Sequence, residues 1–170
     1  MEFNAIISAD GRYRYQLTRL WDRDSPMLPW VMLNPSTADA TNDDPTVRRC
    51  VNFAKREGYG GIIVVNLYAL RSDNPAVLTI APDPVGPETH LWLEDAAFYS
   101  LKRNIPIVAA WGAHATTRRT ADVVRVLSNC NCNIVCLGLT QHGQPRHPLY
   151  LPNNSVFIPY RGVGYEINAG

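Results

Sequence analysis

Apolar and polar positions follow two different periods along the chain, and each period predicts a different kind of element. Near the N-terminus, apolar side chains stand at every second position: Phe3, Ala5 and Ile7, then Tyr13, Tyr15 and Leu17. Asp10-Gly11 lies between these two segments and is typical of a tight turn. The alternation predicts a β-hairpin over residues 1–20, with Tyr13, Tyr15 and Leu17 on one face of its second strand.

Three helices are predicted where apolar positions recur every three or four residues. The first begins at Asp44-Pro45, because Asp is a good N-cap and Pro fits the first helical position. The second begins at Gly86-Pro87, and the third spans residues 114–127. The inner face of the second helix is predicted to carry Leu93, Ala96, Ala97 and Leu101.

Short apolar runs between these helices predict buried strands. They lie at residues 30–33, 62–65, 106–111 and 133–137, with a last strand at 155–160. Strands that alternate with helices imply a parallel sheet with right-handed crossovers. We therefore expect an α/β fold, and a chain of this length fits a single domain over residues 1–170.

Composition and charge narrow the classes of function. A net charge of +1 argues against a protein that coats nucleic acid by bulk charge. The 16 basic residues are 14 Arg and 2 Lys, a bias that suits local anion binding and that genomic base composition explains equally well. No apolar run reaches the roughly 18 residues of a membrane span. The N-terminus does not read as a secretory signal, so we expect a cytoplasmic protein with no membrane partner.

The four cysteines show no C-x2-C spacing and no histidine near the last three, so neither a metal nor another cofactor is expected. Candidate chemistry lies instead at the strand ends, because ligands of such sheets bind beyond the carboxyl ends of the strands. Four segments follow the predicted strands, namely residues 34–37, 66–68 and 111–114 and the loop 141–151. Trp111 is predicted to be core and His114 to lie at the start of the third helix.

Four segments in this order resemble the motifs of the uracil-DNA glycosylase superfamily: VMLNPS, VVNLYALR, IVAAWGAHA and GQPRHPLYL. More closely, the chain resembles an uncharacterised bacterial and phage family, the domain of unknown function 1643, with LNPSTAD and HPLYLP segments. The resemblance runs from about Trp30 to Leu151. It implies a three-layer α/β/α sandwich with a central four-stranded parallel sheet, to which the N-terminal hairpin is added.

The resemblance also implies an activity, the hydrolysis of the N-glycosidic bond of a pyrimidine in DNA by base flipping. Asn34 and His147 take the catalytic positions, the first to orient a water and the second to donate to the departing base. The base-binding positions fall on Leu33, Asn66, Ser36 and Tyr68. The nucleic-acid-binding positions fall on Pro35, Arg71, Arg146, Pro148, Leu149 and Tyr150.

Each of these positions also has a structural interpretation. Asn34-Pro35 could be a turn that ends a strand, Asn66 could tie two loops together, and His147 could lie at the surface. The large side chains at 149–151 could wedge into DNA or pack against the hairpin. Arg48 and Arg49 could contact phosphate or form a solvated helix face.

The sequence departs from the superfamily pattern in two informative ways. Ser36 stands where the uracil-specific enzymes carry a Tyr, which implies room beside C5 of the base and tolerance of thymine or a larger 5-substituted pyrimidine. Leu149 replaces a serine that grips phosphate, which puts conventional duplex binding in doubt. Asp39, Asp43 and Asp44 form an acidic loop. One carboxylate could replace the missing base, but Asp44 also fits an N-cap, and Asp43 could bind a metal or pair with Arg48.

The expected partner is DNA or a nucleotide or nucleobase, and the expected state is a monomer. Two alternatives to a DNA glycosylase-like enzyme remain open from the sequence. One is a catalytically silent module that binds nucleic acid or a nucleotide. The other is a different base-directed transferase or hydrolase that uses the same pocket.

Overall fold

The computed structural model describes residues 1–163, and within them the chain forms seven strands, four α-helices and a short 3-10 turn. The strands β1 to β7 are Glu2–Ile7, Arg14–Leu20, Met27–Met32, Gly61–Asn66, Ile107–Ala109, Ile134–Cys136 and Ile158–Pro159. The helices α1 to α4 are Pro45–Arg56, Val77–Ile80, Thr89–Arg103 and Thr117–Asn129. The 3-10 turn is Pro148–Tyr150.

All seven strands belong to one mixed sheet, in the order β1-β2-β4-β3-β5-β6-β7. The four strands β4, β3, β5 and β6 run parallel to one another. The hairpin β1-β2 joins this core because β2 pairs antiparallel with β4, and β7 adds antiparallel to β6. The expected α/β fold and parallel four-stranded core are therefore confirmed, but the sheet is larger than expected and its outer strands are antiparallel.

Helices cover both faces of the sheet. Successive residues of β3 alternate between two hydrophobic clusters, so that Trp30 and Met32 pack with α1 while Val31 packs with α3 and α4. In β4 every residue is buried, as expected for a β-branched run in the middle of a covered sheet. The core therefore lies in two layers, one on each side of the parallel strands.

The second strand of the hairpin does not keep one face. Ile6 pairs with Gln16 but Ile7 pairs with Arg14, so Tyr15 is an extra residue that forms a β-bulge. Tyr13 and Tyr15 pack in the α3/α4 cluster, whereas Leu17 packs in the α1 cluster. The prediction that these three side chains share a face is wrong, because the bulge reverses the alternation.

The helices differ from those expected in one buried face and in one boundary. Leu101 was predicted to face the core but is 47% exposed, because α3 packs on the sheet through Leu93, Ala96 and Ala97. The third predicted helix begins at Thr117 instead of His114, since the Thr116 hydroxyl caps it by accepting the N–H of Arg119 at 3.2 Å. The short helix α2 lies in a stretch for which the sequence predicted no element.

The strand order creates a switch point at the centre of the sheet. From β3 the chain crosses through α1 to β4, whereas from β5 it crosses through α4 to β6 on the opposite side. A crevice opens where neighbouring strands send their connections in opposite directions, and ligands of α/β sheets bind there. The fold therefore singles out the carboxyl ends of β3 and β5.

Residues 1–163 hold neither a membrane-spanning helix nor a cluster of metal-ligating side chains. None of the helices there has the length and apolar character needed to cross a membrane. In the same residues no group of three or more His, Cys, Asp and Glu side chains lies close enough together to hold a metal ion.

Candidate functional site

A cavity of about 380 Å³ opens at this switch point. Its wall is built from the ends of β3 and β4, the loop after β5, the first turn of α1 and the loop that carries His147. Its volume lies within the roughly 300–1,000 Å³ that is usual for small-molecule sites. The cavity is thus large enough for one heterocyclic base.

Asn66 is the last residue of β4 and lines this cavity. Its side chain is only 2% exposed, yet neither Oδ1 nor Nδ2 has a hydrogen-bond partner among the described residues. Leaving a buried polar group unpaired costs about 1–3 kcal/mol. An amide offers two donors and an acceptor, so Asn66 can read the edge of a planar ligand that completes its hydrogen bonds.

Asn34 lies in the same cavity but is bonded differently. Its Nδ2 donates to the carbonyl oxygens of Pro35 at 3.0 Å, Leu70 at 3.4 Å and Ser72 at 2.8 Å. These bonds tie the loop after β3 to the loop after β4. The Oδ1 atom takes no part in them and is the atom through which Asn34 can orient a water or a ligand.

His147 reaches the cavity from the far end of the chain. Its Nδ1 accepts the N–H of Leu149 at 3.3 Å, so in the neutral imidazole the proton sits on Nε2. Burial lowers the pKa of His147, while the nearby charge of Asp44 acts in the opposite direction. The ring is therefore suited to be a neutral donor to an oxygen that gains negative charge.

Gly112 allows the His147 loop to pack against the end of β5. Its φ is +75°, which a residue with a side chain rarely adopts, and an added Cβ would lie 3.3 Å from the Cβ of His147. The N–H of Gly112 also donates to the carbonyl of Pro145 at 2.8 Å. The glycine therefore allows the histidine to lie close to the end of β5.

Arginines of α1 hold the other side of the His147 loop. Arg49 donates to the carbonyls of Pro148, at 3.2 Å, and Leu151, and to Oδ1 of Asn153. Arg56 bonds the carbonyls of Asn153 at 2.7 Å and Ser155 at 2.6 Å. The guanidinium of Arg49 therefore makes its hydrogen bonds within the protein, and these bonds explain its position without a contact to phosphate.

The three carboxylates of the acidic loop have different hydrogen-bond partners. Asp44 lines the cavity and caps α1, its Oδ1 accepting the N–H of Val47 at 2.8 Å, as predicted for the N-cap. Asp43 pairs with Arg19 at 2.6 Å and not with Arg48, which instead donates to the Asp43 carbonyl. Asp39 accepts four bonds from Thr41 and Asn42, which lower its pKa to about 2. Asp44 is the member of the loop that can act on a ligand.

Arg14 is a cavity residue that the sequence reading missed. Arg14 is 3% exposed; its guanidinium donates through Nη1 to the carbonyl of Ala38 and keeps a buried Nε without a partner among the described residues. Burial lowers its pKa to about 10, against the opposing charge of Asp44. In the sequence, Arg14 stands out only as a charged residue between two tyrosines. The β-bulge that turns Arg14 toward the cavity cannot be inferred from the sequence.

Most of the predicted site residues meet at the cavity. Those that line it are Leu33, Asn34, Ser36, Asp44, Asn66, His147, Leu149 and Tyr150. Tyr150 stands at its rim and is 87% exposed. Trp111 and His114 also line it, although Trp111 is fully buried and donates to Gln144 Oε1 at 2.8 Å, as suits a core residue.

Six predicted residues do not line the cavity: Pro35, Asp43, Tyr68, Arg71, Arg146 and Pro148. The Tyr68 hydroxyl lies 3.4 Å from Thr116 Oγ1, at the start of α4. Arg71 donates to the carbonyl of Gly11 at 3.2 Å. Arg146 is exposed and directly precedes His147 in the chain. Tyr68 therefore does not touch a base held in this cavity.

Comparison with known proteins gives one match. A family model described as "Protein of unknown function (DUF1643)" matches residues 14–149, which include every strand that lines the cavity. No curated protein and no solved structure matches the chain.

Proposed function

The chain belongs to the DUF1643 family, and we propose that it is a DNA glycosylase-like enzyme that hydrolyses the N-glycosidic bond of a pyrimidine. One observation carries the proposal. A buried asparagine amide with no partner among the described residues, Asn66, lines a cavity of base size that Asn34 and His147 also line. The superfamily resemblance of the four strand-end segments supports the same chemistry.

In the proposed reaction the bond between the sugar C1′ and the base nitrogen breaks, and its electron pair leaves with the base. The sugar then resembles an oxocarbenium ion, which is a strong electrophile. A water held by Asn34 Oδ1 and the Asp44 carboxylate adds to C1′, and its proton passes to Asp44. His147 Nε2–H donates to the oxygen of the departing base and stabilises its charge.

The base would enter by flipping out of the stack, with Asn66 bonding its polar edge. Leu149 and the exposed Tyr150 at the rim are then placed to occupy the gap it leaves. Ser36 is small and half-buried in the cavity wall, so a methyl or hydroxymethyl group at C5 has room. We therefore propose a substrate range that includes thymine or 5-substituted pyrimidines.

The test is a panel of labelled oligonucleotides that contain uracil, a G·T mismatch or 5-hydroxymethyluracil, single- and double-stranded. We expect alkali-labile abasic product from the wild type, and a loss of at least about 100-fold in Asn34→Ala and His147→Ala, as for removal of one transition-state donor. Arg125→Gln, an exposed position of α4 remote from the cavity, is the matched control and should keep full activity.

A binding module without catalysis is the second candidate, and the bonding of Asn34 favours it. Its Nδ2 is spent on three backbone carbonyls, as in an asparagine whose task is structural. Binding of the oligonucleotides at low salt without any abasic product would favour this candidate and overturn the enzyme.

A further inference from the structure

We propose that the cavity binds its heterocycle as an anion and that Arg14 is the residue that selects the negative charge. The inference deepens the proposed function, because it concerns the ligand of the same cavity. The ligand class is a flat pyrimidine-like ring that carries a negative charge, either on the ring itself or on a carboxylate substituent. Arg14 and Asn66 together would bind its charged edge.

Arg14 and Asn66 lie on neighbouring strands. β2 pairs with β4 through Leu17 and Val64, and further on the N–H of Arg14 donates to the carbonyl of Ala69 at 3.0 Å. Asn66 lies between these two points on the β4 side. Both side chains line the cavity and both are nearly excluded from solvent, so they present a guanidinium and an amide to the same ligand.

Hydrogen bonds within the protein use only some of the donors of the Arg14 guanidinium. Its bond to the Ala38 carbonyl holds the loop after β3, but its buried Nε has no acceptor among residues 1–163. Among those residues no carboxylate lies close enough to Arg14 to form an ion pair. Burying a cation is costly unless the charge is paired and its donors are bonded.

An anionic ligand would supply both the acceptor and the opposite charge that the Arg14 guanidinium lacks. Guanidinium groups bind flat anionic groups with two parallel bonds, and a bond between two charged partners is shorter and stronger than a neutral one. A neutral ring could accept a bond from Nε but would leave the guanidinium with no directly paired carboxylate, since Asp44 acts on Arg14 only from beyond ion-pair distance. The arrangement therefore favours the anion over a neutral ring of equal size.

The probes for the test are three free bases of similar size. Uracil-5-carboxylate carries the charge on a substituent, 5-nitrouracil ionises in the ring near neutral pH, and 5-hydroxymethyluracil is neutral. Their affinities are measured by isothermal titration calorimetry at pH 7.5 on the full chain. We expect at least one anion to bind about tenfold or more tighter than the neutral base, as suits one charged hydrogen bond.

Variants connect that preference to Arg14. Arg14→Gln keeps donors but loses the charge, and it should erase the preference, while Arg14→Lys should keep part of it. Asn66→Ala should weaken all three bases by a similar factor and leave the preference unchanged. Arg125→Gln is the control for the loss of an arginine elsewhere.

Preference for the carboxylate alone assigns the charge to a substituent, and preference for 5-nitrouracil alone assigns it to the ring. Equal binding of neutral and anionic bases, binding of none of the three, or a preference that survives in Arg14→Gln overturns the inference. If Arg14→Gln does not fold, as judged by circular dichroism, the wild-type preference and Arg14→Lys still decide.

The outcome is independent of glycosidic cleavage. Preference for anions that depends on Arg14, without cleavage of any oligonucleotide, would refute the proposed enzyme and keep the inference. Cleavage without any preference among the free bases would do the reverse.

Discussion

Two arginines of one strand, Arg14 and Arg19, are both buried and have opposite surroundings. Arg19 is 0% exposed, and its guanidinium bonds the Asp43 carboxylate at 2.6 Å and the carbonyls of Thr18 and Asp39 at 2.8 and 2.6 Å. Arg14, five residues earlier, bonds one carbonyl and leaves Nε unpaired. The protein therefore completes one guanidinium itself and leaves the other incomplete at a cavity.

The comparison distinguishes a region whose buried polar groups are bonded within the protein from a region, at the cavity, where buried polar groups lack partners. Arg19 anchors the acidic loop to the sheet, and its ring contact with Phe3, 4.5 Å from guanidinium carbon to ring centre, adds to that anchor. The two asparagines repeat the contrast, since Asn34 is bonded to three carbonyls and Asn66 to none. Among the described residues, three of the six unpaired buried side-chain atoms lie at the cavity, namely Arg14 Nε and both amide atoms of Asn66, and the other three belong to Trp30, Arg119 and Tyr160, which do not line it.

The largest effect should come from removing the anchor. Arg19→Met breaks a buried ion pair and leaves Asp43 and four backbone carbonyls without this donor, so we expect a loss of about 3–5 kcal/mol in the free energy of unfolding. The measurement is urea unfolding followed by circular dichroism. Arg14→Met should change the same quantity by less than about 1 kcal/mol, because the lost bond to Ala38 is offset by relief of a buried charge.

Arg23→Met serves as the surface control, because the Arg23–Glu2 pair is exposed on both sides and such pairs contribute about 0–1 kcal/mol. A loss for Arg14→Met as large as that for Arg19→Met would erase the distinction between the two regions. It would make Arg14 a structural residue.

The asparagines should show a smaller version of the contrast. Asn34→Ala removes the donor of three backbone carbonyls and should cost about 1–3 kcal/mol in stability. Asn66→Ala removes an amide that bonds nothing among the described residues, so stability should change by less than about 1 kcal/mol while base binding weakens. Thermal unfolding and calorimetric titration with 5-hydroxymethyluracil measure the two effects on the same preparations.

Equal losses of stability in Asn34→Ala and Asn66→Ala would mean that Asn66 is also structural, which was its alternative interpretation. A stabilised Asn66→Ala that binds the base more weakly would be the clearest sign of a group kept for function at the expense of stability.

The sequence predicted those parts of this picture that depend on local pattern. The run of β-branched residues before Asn66 predicted a covered strand that delivers a polar group to the sheet edge. Asp44 and Pro45 predicted a helix start, and the cap bond to Val47 confirms it. The order of strands and helices predicted the parallel core.

Other features depend on tertiary contacts that no local pattern encodes. One inserted residue at Tyr15 reverses the faces of the hairpin, and this places Arg14 beside the cavity. Which carboxylate of the acidic loop faces the cavity depends on the pairing of Asp43 with Arg19, 24 residues away in the chain. Tyr68 could be placed on a strand end from the sequence, but not on the α4 side of it.

The smallest effect should appear in the dependence of stability on pH, and it tests whether the cavity keeps His147 neutral. Burial and the charge of His114 lower the pKa of His147, and the charge of Asp44 opposes them. The folded chain therefore binds this proton less readily than the unfolded chain, in which histidine has a pKa near 6.5. Below that value the unfolded state holds more protons, so the contribution of His147 to stability falls as the pH decreases toward the folded pKa.

Urea unfolding at pH 7.5 and 5.5 should thus show a larger loss of stability in the wild type than in His147→Gln. The exposed His142→Gln variant should behave like the wild type. An equal or smaller loss in the wild type would mean that His147 accepts a proton as easily as a free histidine. Near pH 6.5 about half of the molecules would then carry a cation at that position instead of the neutral donor that the proposed reaction uses.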